Sequence, residues 1–269
     1  MTASTAPGPP GGRVLAGHDP GPWLRRYHGR PVRAGATLVC FPHAGGSAGF
    51  FFPYSEALSA RYDVLAVQYP GRQDRHREPC ARSVAELAGA VAAELAATVD
   101  PDRPLAFFGH SMGAVVGFET ARALARLGVG RGPDVFLASG RRAPALSRDD
   151  GVHRLGDREL VAEIEKLGGT DVRMLEDPEL RRLVLPTVRA DFAAVETYRP
   201  AAGALVDCPV VALIGDDDPR VNAEQAAAWR DHTTGDFSLR IFPGGHFYLV
   251  ERRREVLATI AAHVDPLMA

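Results

Sequence analysis

The sequence predicts an α/β fold, an open and mostly parallel sheet with helices on both faces, and three observations carry that prediction. Short apolar runs without alternation recur along the chain, as strands buried on both faces require. Segments of helical period separate them, the arrangement that produces parallel crossovers. The pentapeptide Gly109-His110-Ser111-Met112-Gly113 joins one such run directly to one such helix, the strand-turn-helix setting of an exposed serine nucleophile.

Taken in order, Thr37–Phe41 and Val64–Tyr69 are the first two expected strands, stopped by Pro42 and Pro70. Ser83-Val84-Ala85-Glu86 has the form of a capping box, in which the first side chain and the fourth satisfy free amides at the helix start. Val84, Leu87, Val91, Leu95 and Thr98 then share one face of that helix. Leu105–Phe108 is the next strand, and the helix that begins at the pentapeptide turns Val115, Phe118, Ala121 and Ala125 inward before Gly128 closes it. Asp134–Ser139, Pro209–Ile214 and Phe237–Phe242 complete the strands.

Between residues 141 and about 200 the rhythm breaks. Gly156-Asp157 opens one helical stretch through Leu167, and Asp177-Pro178 opens another through about Tyr198, with no strand between them. Two consecutive helices inserted after a central strand are expected to form a lid over the active end of the sheet; a pair of ordinary packing helices is the alternative. The domain is expected to span 22–269, behind a flexible arm, 1–21, rich in Pro, Gly and Ala.

Bulk properties narrow the function. A chain of 269 residues with 46% hydrophobic content can fill one core. The net charge of -2 comes from 31 basic and 33 acidic side chains with no concentrated basic segment, so no nucleic-acid partner is expected. Cys40, Cys80 and Cys208 are odd in number and have no paired spacing, which reads as small buried hydrophobes in a reducing compartment rather than a disulfide or metal framework. There is no secretory signal pattern and no apolar segment long enough to span a bilayer. A soluble cytoplasmic protein without membrane contact, metal or cofactor is the expectation.

A serine nucleophile needs a base and an acid to orient it, and both belong on loops after later strands. Val210–Gly215 is followed by Asp216-Asp217-Asp218-Pro219, and Ile241–Gly245 by His246. The chain order Ser111, Asp218, His246 is therefore a candidate triad, with His246 moving the proton and the aspartate fixing its tautomer. Asp218 is preferred because it ends the loop beside Pro219, whereas Asp216 and Asp217 are expected to bond nearby amides. His110 adjoins the serine but should diverge from it and pack. The oxyanion donors are expected to be the amides of Met112, after the nucleophile, and Ala44, in the loop Phe41-Pro42-His43-Ala44-Gly45-Gly46-Ser47. A phosphate-cradling role for Gly45-Gly46 would require the G-x-x-x-x-G-K-[ST] pattern, which is missing here.

Five strings together resemble the type II thioesterases that accompany polyketide and nonribosomal peptide synthases: Cys40–Ala48, Gln68–Arg75, Gly109–Gly113, Gly215–Pro219 and Gly244–Phe247. The similarity runs from about residue 22 to the C-terminus. It implies the α/β-hydrolase fold with an inserted helical lid, and release of misprimed or stalled acyl groups from the phosphopantetheine arms of acyl- or peptidyl-carrier domains. Carried over by position, the nucleophile is Ser111, the acid Asp218, the base His246 and the oxyanion amides Met112 and Ala44; no cofactor is implied, and a monomer is expected. Tyr69 departs from the aliphatic residue common at its position. Arg72 and Arg75 could meet the pantetheine phosphate or an acidic carrier surface, or be structural arginines paired with Asp74 or Glu78. A small-molecule carboxylesterase or an acyltransferase would use the same residues, and a non-catalytic carrier-binding protein would keep only the scaffold.

Overall fold

Seven strands form one sheet in the order β1-β3-β2-β4-β5-β6-β7 in the computed structural model, which describes residues 20–29, 35–128, 132–168, 175 and 177–269. They are β1 (Leu24–Arg25), β2 (Ala36–Phe41), β3 (Tyr62–Val67), β4 (Leu105–His110), β5 (Val135–Ser139), β6 (Val210–Gly215) and β7 (Phe237–Phe242). All neighbours pair in parallel except β1, which runs antiparallel to β3 with Leu24 opposite Val67. Helices α1 (Phe52–Leu58), α2 (Val84–Thr98), α3 (Met112–Leu127), α4 (Asp157–Leu167), α5 (Pro178–Glu196), α6 (Ala223–Ala227), α7 (Tyr248–Glu251) and α8 (Arg253–Val264) complete the described elements.

Alternation along the central strands divides the interior into two layers. Val39, Phe41 and Phe107 face α2, α3 and Trp229. Leu38, Cys40 and Phe108 face the other way, onto Tyr54 of α1 and Val256 and Ile260 of α8. A third cluster joins Leu160 and Ile164 of α4 to Leu185, Val188 and Phe192 of α5, above the sheet. Both helices are inserted between β5 and β6. The strand order reverses at β2, whose two parallel neighbours are β3 and β4, and the crevice beyond the carboxyl ends of such strands is where open sheets bind ligands.

Several sequence expectations shift by a few residues. The second strand is Tyr62–Val67 and not Val64–Tyr69; beyond it the Gln68 amide still donates to the Trp23 carbonyl at 2.8 Å, while its side chain accepts from the Ala48 amide at 2.9 Å and donates to the Arg72 carbonyl at 3.2 Å. β1 was not expected: two residues carry no period. On α3 the inward residue of the fourth turn is Leu124, whereas Ala125 is exposed. The Ser83 hydroxyl caps α2 at the Glu86 amide, 3.1 Å, but the Glu86 carboxylate reaches back to the amide of Arg82 rather than Ser83, so half of the capping box forms. β7 is an edge strand with Ile241 52% exposed, not a buried one. Most of the N-terminal arm expected at 1–21, residues 1–19, lies outside the described residues.

Candidate active site

Ser111 sits between β4 and α3 with φ 55° and ψ −114°, a backbone state that a non-glycine residue holds only where its surroundings enforce it. The enforcement comes from the two glycines. A Cβ on Gly109 would lie 2.3 Å from the Gly113 carbonyl oxygen, and one on Gly113 would lie 2.0 Å from that of Phe41. Neither position tolerates a side chain, so strand and helix close on each other and the serine is left at the apex.

The structure brings Ser111, His246 and Asp218 together from three separate loops. His246 Nε2 lies 3.0 Å from Ser111 Oγ, and His246 Nδ1 lies 2.8 Å from Asp218 Oδ2. The His246 and Asp218 side chains are 2% and 0% exposed, so their contact is shielded from water. The other Asp218 oxygen accepts from the Arg220 amide at 2.8 Å, which fixes the plane of the carboxylate. Asp216 instead accepts from the Gly244 amide at 2.9 Å, and Asp217 is exposed.

Met112 is the first residue of α3, where an amide has no partner within its helix, and Ala44 follows β2 across the cavity rim. Both residues line the cavity that holds Ser111. The Ala44 loop is held from behind. The Gly45 amide donates to Asp191 Oδ2 of α5 at 2.7 Å, and Arg72 grips the same carboxylate at 2.6 and 2.8 Å while also donating to the Gly46 carbonyl at 3.0 Å. Arg72 therefore pairs with Asp191, not Asp74. Arg75 pairs with Glu78 through two bonds of 2.8 and 2.6 Å and is 6% exposed, the structural alternative.

Behind His246 lie two more imidazoles. His110 stands with its ring centroid 5.0 Å from that of His246, and its Nδ1 lies 2.9 Å from Ser139 Oγ, which is 2.7 Å from the Tyr248 hydroxyl. His43 packs edge-on between Phe50 and Phe247. Burial pulls the pKa of His43 down to about 3 and that of His110 well below the ordinary value, with the neighbouring His246 adding to both shifts. Each is a neutral packing ring.

The cavity over Ser111 has a volume of about 40 Å³, room for a few water molecules. Its apolar lining is Ala44, Met112, Leu167, Phe192, Val195 and Phe247. Arg141, Arg142, Arg148 and Arg220 line it as well, together with Asp150 and Glu196. The chain after β5, the loop after β6 and, for Glu196, the end of α5 deliver these charges. Among the described residues, Asp149, His153 and Glu196 place potential metal-ligand atoms within 4.8 Å of one another. Glu196 is already committed there, accepting from the amides of Val152 and His153 and lying 2.6 Å from His153 Nδ1.

The sequence reading missed Asp191 and every charged residue of the cavity wall, of which Arg141 is one. Asp191 lies between Val188 and Phe192 in the buried stripe of α5, and a carboxylate inside an apolar stripe is the signal that it has a buried partner. Arg141 had no such mark, being one of two adjacent arginines after a strand.

Known proteins resemble this chain along most of its length. The thioesterase domain family matches residues 36–264. Thioesterase PikA5 of Streptomyces venezuelae is 52% identical over 247 residues, 91% of this chain and 86% of its own. A probable cadicidin biosynthesis thioesterase of Streptomyces griseus is 46% identical over 91% of this chain and 66% of its own. The solved type II thioesterase BorB from the borrelidin biosynthetic cluster superposes with a TM-score of 0.83 at 45% identity, covering 92% of this chain and 99% of that one. The chain belongs to the thioesterase family, on an α/β-hydrolase fold, and is a hydrolase acting on thioesters. No helix among the described residues is long and apolar enough to cross a membrane.

Proposed function

We propose that this thioesterase removes aberrant or stalled acyl groups from the phosphopantetheine arms of synthase carrier domains through an acyl-serine intermediate. The observation that carries the chemistry is the Ser111–His246–Asp218 relay, 3.0 and 2.8 Å, at the floor of a cavity. Ser111 Oγ attacks the thioester carbonyl as His246 Nε2 takes its proton, and the carbonyl oxygen gains charge facing the amides of Met112 and Ala44. Collapse breaks the C–S bond, and His246 returns the proton to the departing pantetheine sulfur. Water then enters, gives a proton to His246 and attacks the acyl ester; the acid leaves and Ser111 regains its hydrogen. Asp218 keeps the Nδ1 proton in place throughout and stabilises the imidazolium.

The carrier-bound substrate is supported by relatives whose names place them in cadicidin and borrelidin biosynthesis and in the yersiniabactin NRPS/PKS pathway. In this reading the lid expected at 141–200 narrows to α4 and the first turns of α5, because Trp229 holds the Arg141 carbonyl and the second half of α5 is bonded to Gly45 and Gly71. A cavity of about 40 Å³ is too small for an acyl chain, so the lid must open to admit one. The enzyme works as a cytoplasmic monomer beside its synthase, with Cys40, Cys80 and Cys208 as free thiols.

The test presents one acyl group on a carrier protein, on free pantetheine and as a simple oxygen ester. Contacts remote from the carbonyl raise catalytic efficiency when they align the reacting group, so kcat/KM should fall in that order. Preference for the oxygen ester would sink the editing role, and equal rates on carrier and pantetheine would remove carrier recognition.

A further inference from the structure

Four arginines line the cavity above Ser111, and three of them have partners. Arg148 Nε lies 2.6 Å from Asp150. Arg220 lies 3.3 Å from Glu163. Arg142 donates to the Arg220 carbonyl at 2.8 Å, with Asp150 at 3.6 Å. The Arg141 side chain makes no hydrogen bond or ion pair among the described residues, and its Nε is buried without an acceptor. The second acid on the wall, Glu196, is taken up by His153 and two backbone amides. Burial, reinforced by Arg142, pulls the Arg141 pKa down to about 10, as desolvation of an incompletely compensated cation does.

The position of this guanidinium limits what it can meet. A Cβ on the preceding residue, Gly140, would lie 3.3 Å from His246 Cε1. The Arg141 carbonyl accepts from Trp229 Nε1 at 2.9 Å, which clamps the backbone while the side chain faces the cavity. With a thioester carbonyl at Ser111, the phosphate lies at the far end of the pantetheine arm, away from a group one residue removed from the Gly140–His246 contact. The part of the substrate within reach is the acyl chain. An aliphatic chain would leave the guanidinium donors that reach the cavity facing hydrocarbon, a costly arrangement, whereas an oxygen on the chain would accept from one or two of them.

We propose that Arg141 is a specificity-determining residue that selects acyl groups bearing an oxygen acceptor, a 3-oxo or 3-hydroxy group or a terminal carboxylate, over aliphatic acyl groups of similar length. The inference rests on the thioesterase function given above and names the substrate class within it.

The experiment compares butyryl-, 3-oxobutyryl-, 3-hydroxybutyryl- and malonyl-pantetheine as substrates of the full-length enzyme and of its R141M and R141Q variants. Wild type should favour at least one oxygenated acyl group over butyryl, and the malonyl arm separates a charged acceptor from a neutral one. In both variants that kcat/KM ratio should collapse by about 10- to 100-fold, the range for a hydrogen bond to a charged group. A wild-type preference for butyryl, or an equal loss on all four substrates in the variants, would overturn the assignment. Failure of folded wild type to cleave any of the four, with Ser111 unreactive toward a fluorophosphonate, would instead overturn the serine thioesterase mechanism on which it rests.

Discussion

Replacing Asp191 with asparagine should separate the stability of this enzyme from its activity. The Arg72 and Asp191 side chains are 7% and 4% exposed and meet through two bonds of 2.6 and 2.8 Å. D191N keeps the shape and one acceptor oxygen but leaves the Arg72 charge buried without its counter-ion, a change that costs roughly 3–5 kcal/mol. For a domain of this size that corresponds to a fall in Tm of about 6–20 °C. Activity should fall as well, because the carboxylate that accepts from Gly45 also fixes the loop carrying Ala44. Misplacing one oxyanion donor costs up to about 10²–10³ in kcat. The double variant R72M/D191L removes both charges, and apolar replacement of a buried pair is often neutral. Its stability should recover towards wild type while kcat stays low, since Gly45 still lacks its acceptor. Urea unfolding and steady-state hydrolysis of one acyl-pantetheine would measure both. A loss under 1 kcal/mol in D191N, or a double variant as unstable as the sum of the two single changes, would refute the pairing argument, and wild-type kcat in the double variant would refute the positioning role.

Ser111→Ala should lower turnover at least about a thousandfold with the fold intact, because it removes the attacking oxygen and keeps both elbow glycines; adduct mass after fluorophosphonate treatment gives an independent check. D218N should lower kcat by about 10⁴ through the wrong histidine tautomer, with D216N and D217N far milder; a larger loss in D217N would move the acid by one residue. His43 stays neutral when folded down to about pH 3 but takes a proton near pH 6.5 when unfolded, so the unfolded state binds more protons in that window and stability falls as pH drops. H43Q should flatten that dependence by about 1.4 kcal/mol per pH unit, measured by urea unfolding between pH 6 and 4; an unchanged slope would refute it. Amides of α4 and the first turns of α5 should exchange faster than those of β2 and β4 and slow with a nonhydrolysable acyl-pantetheine; equal protection would argue for fixed packing.

What was legible in the sequence was what depends on neighbours in the chain. The elbow at Ser111 is written within five residues, and the loops carrying Asp218 and His246 each follow a continuous apolar run, so strand order placed them before any coordinates did. What was not legible depends on partners far apart. β1 is two residues long and exists through pairing with β3. The Gln68 side chain, just past β3, bonds to Ala48, 20 residues away. Arg72 and Asp191 are 119 residues apart, and a sequence offers Arg72 the nearer acid Asp74, which in the folded chain pairs with Arg25 instead.

Helix α5 joins the cavity wall to the catalytic loops, and that limits how the site can open. Phe192 and Val195 line the cavity, while Asp191 on the same turn binds Gly45 and Arg72, and Thr187 donates to the Gly71 carbonyl at 2.8 Å. Displacing this half of α5 would strip the carboxylate from a buried arginine and release the oxyanion loop at the moment a substrate arrived. Among the described residues, α4 meets the loop carrying Asp218 only through the 3.3 Å bond from the partly exposed Arg220 to Glu163. The least costly opening therefore swings α4 from a hinge after Leu155, giving up the exposed Arg189–Asp157 pair, while Glu196 and Arg189 keep Val152, His153 and Leu155 on the second half of α5 as the fixed jaw. Under that division, substitutions on α4 should change which acyl chains enter, and substitutions around Asp191 should change how fast any of them reacts.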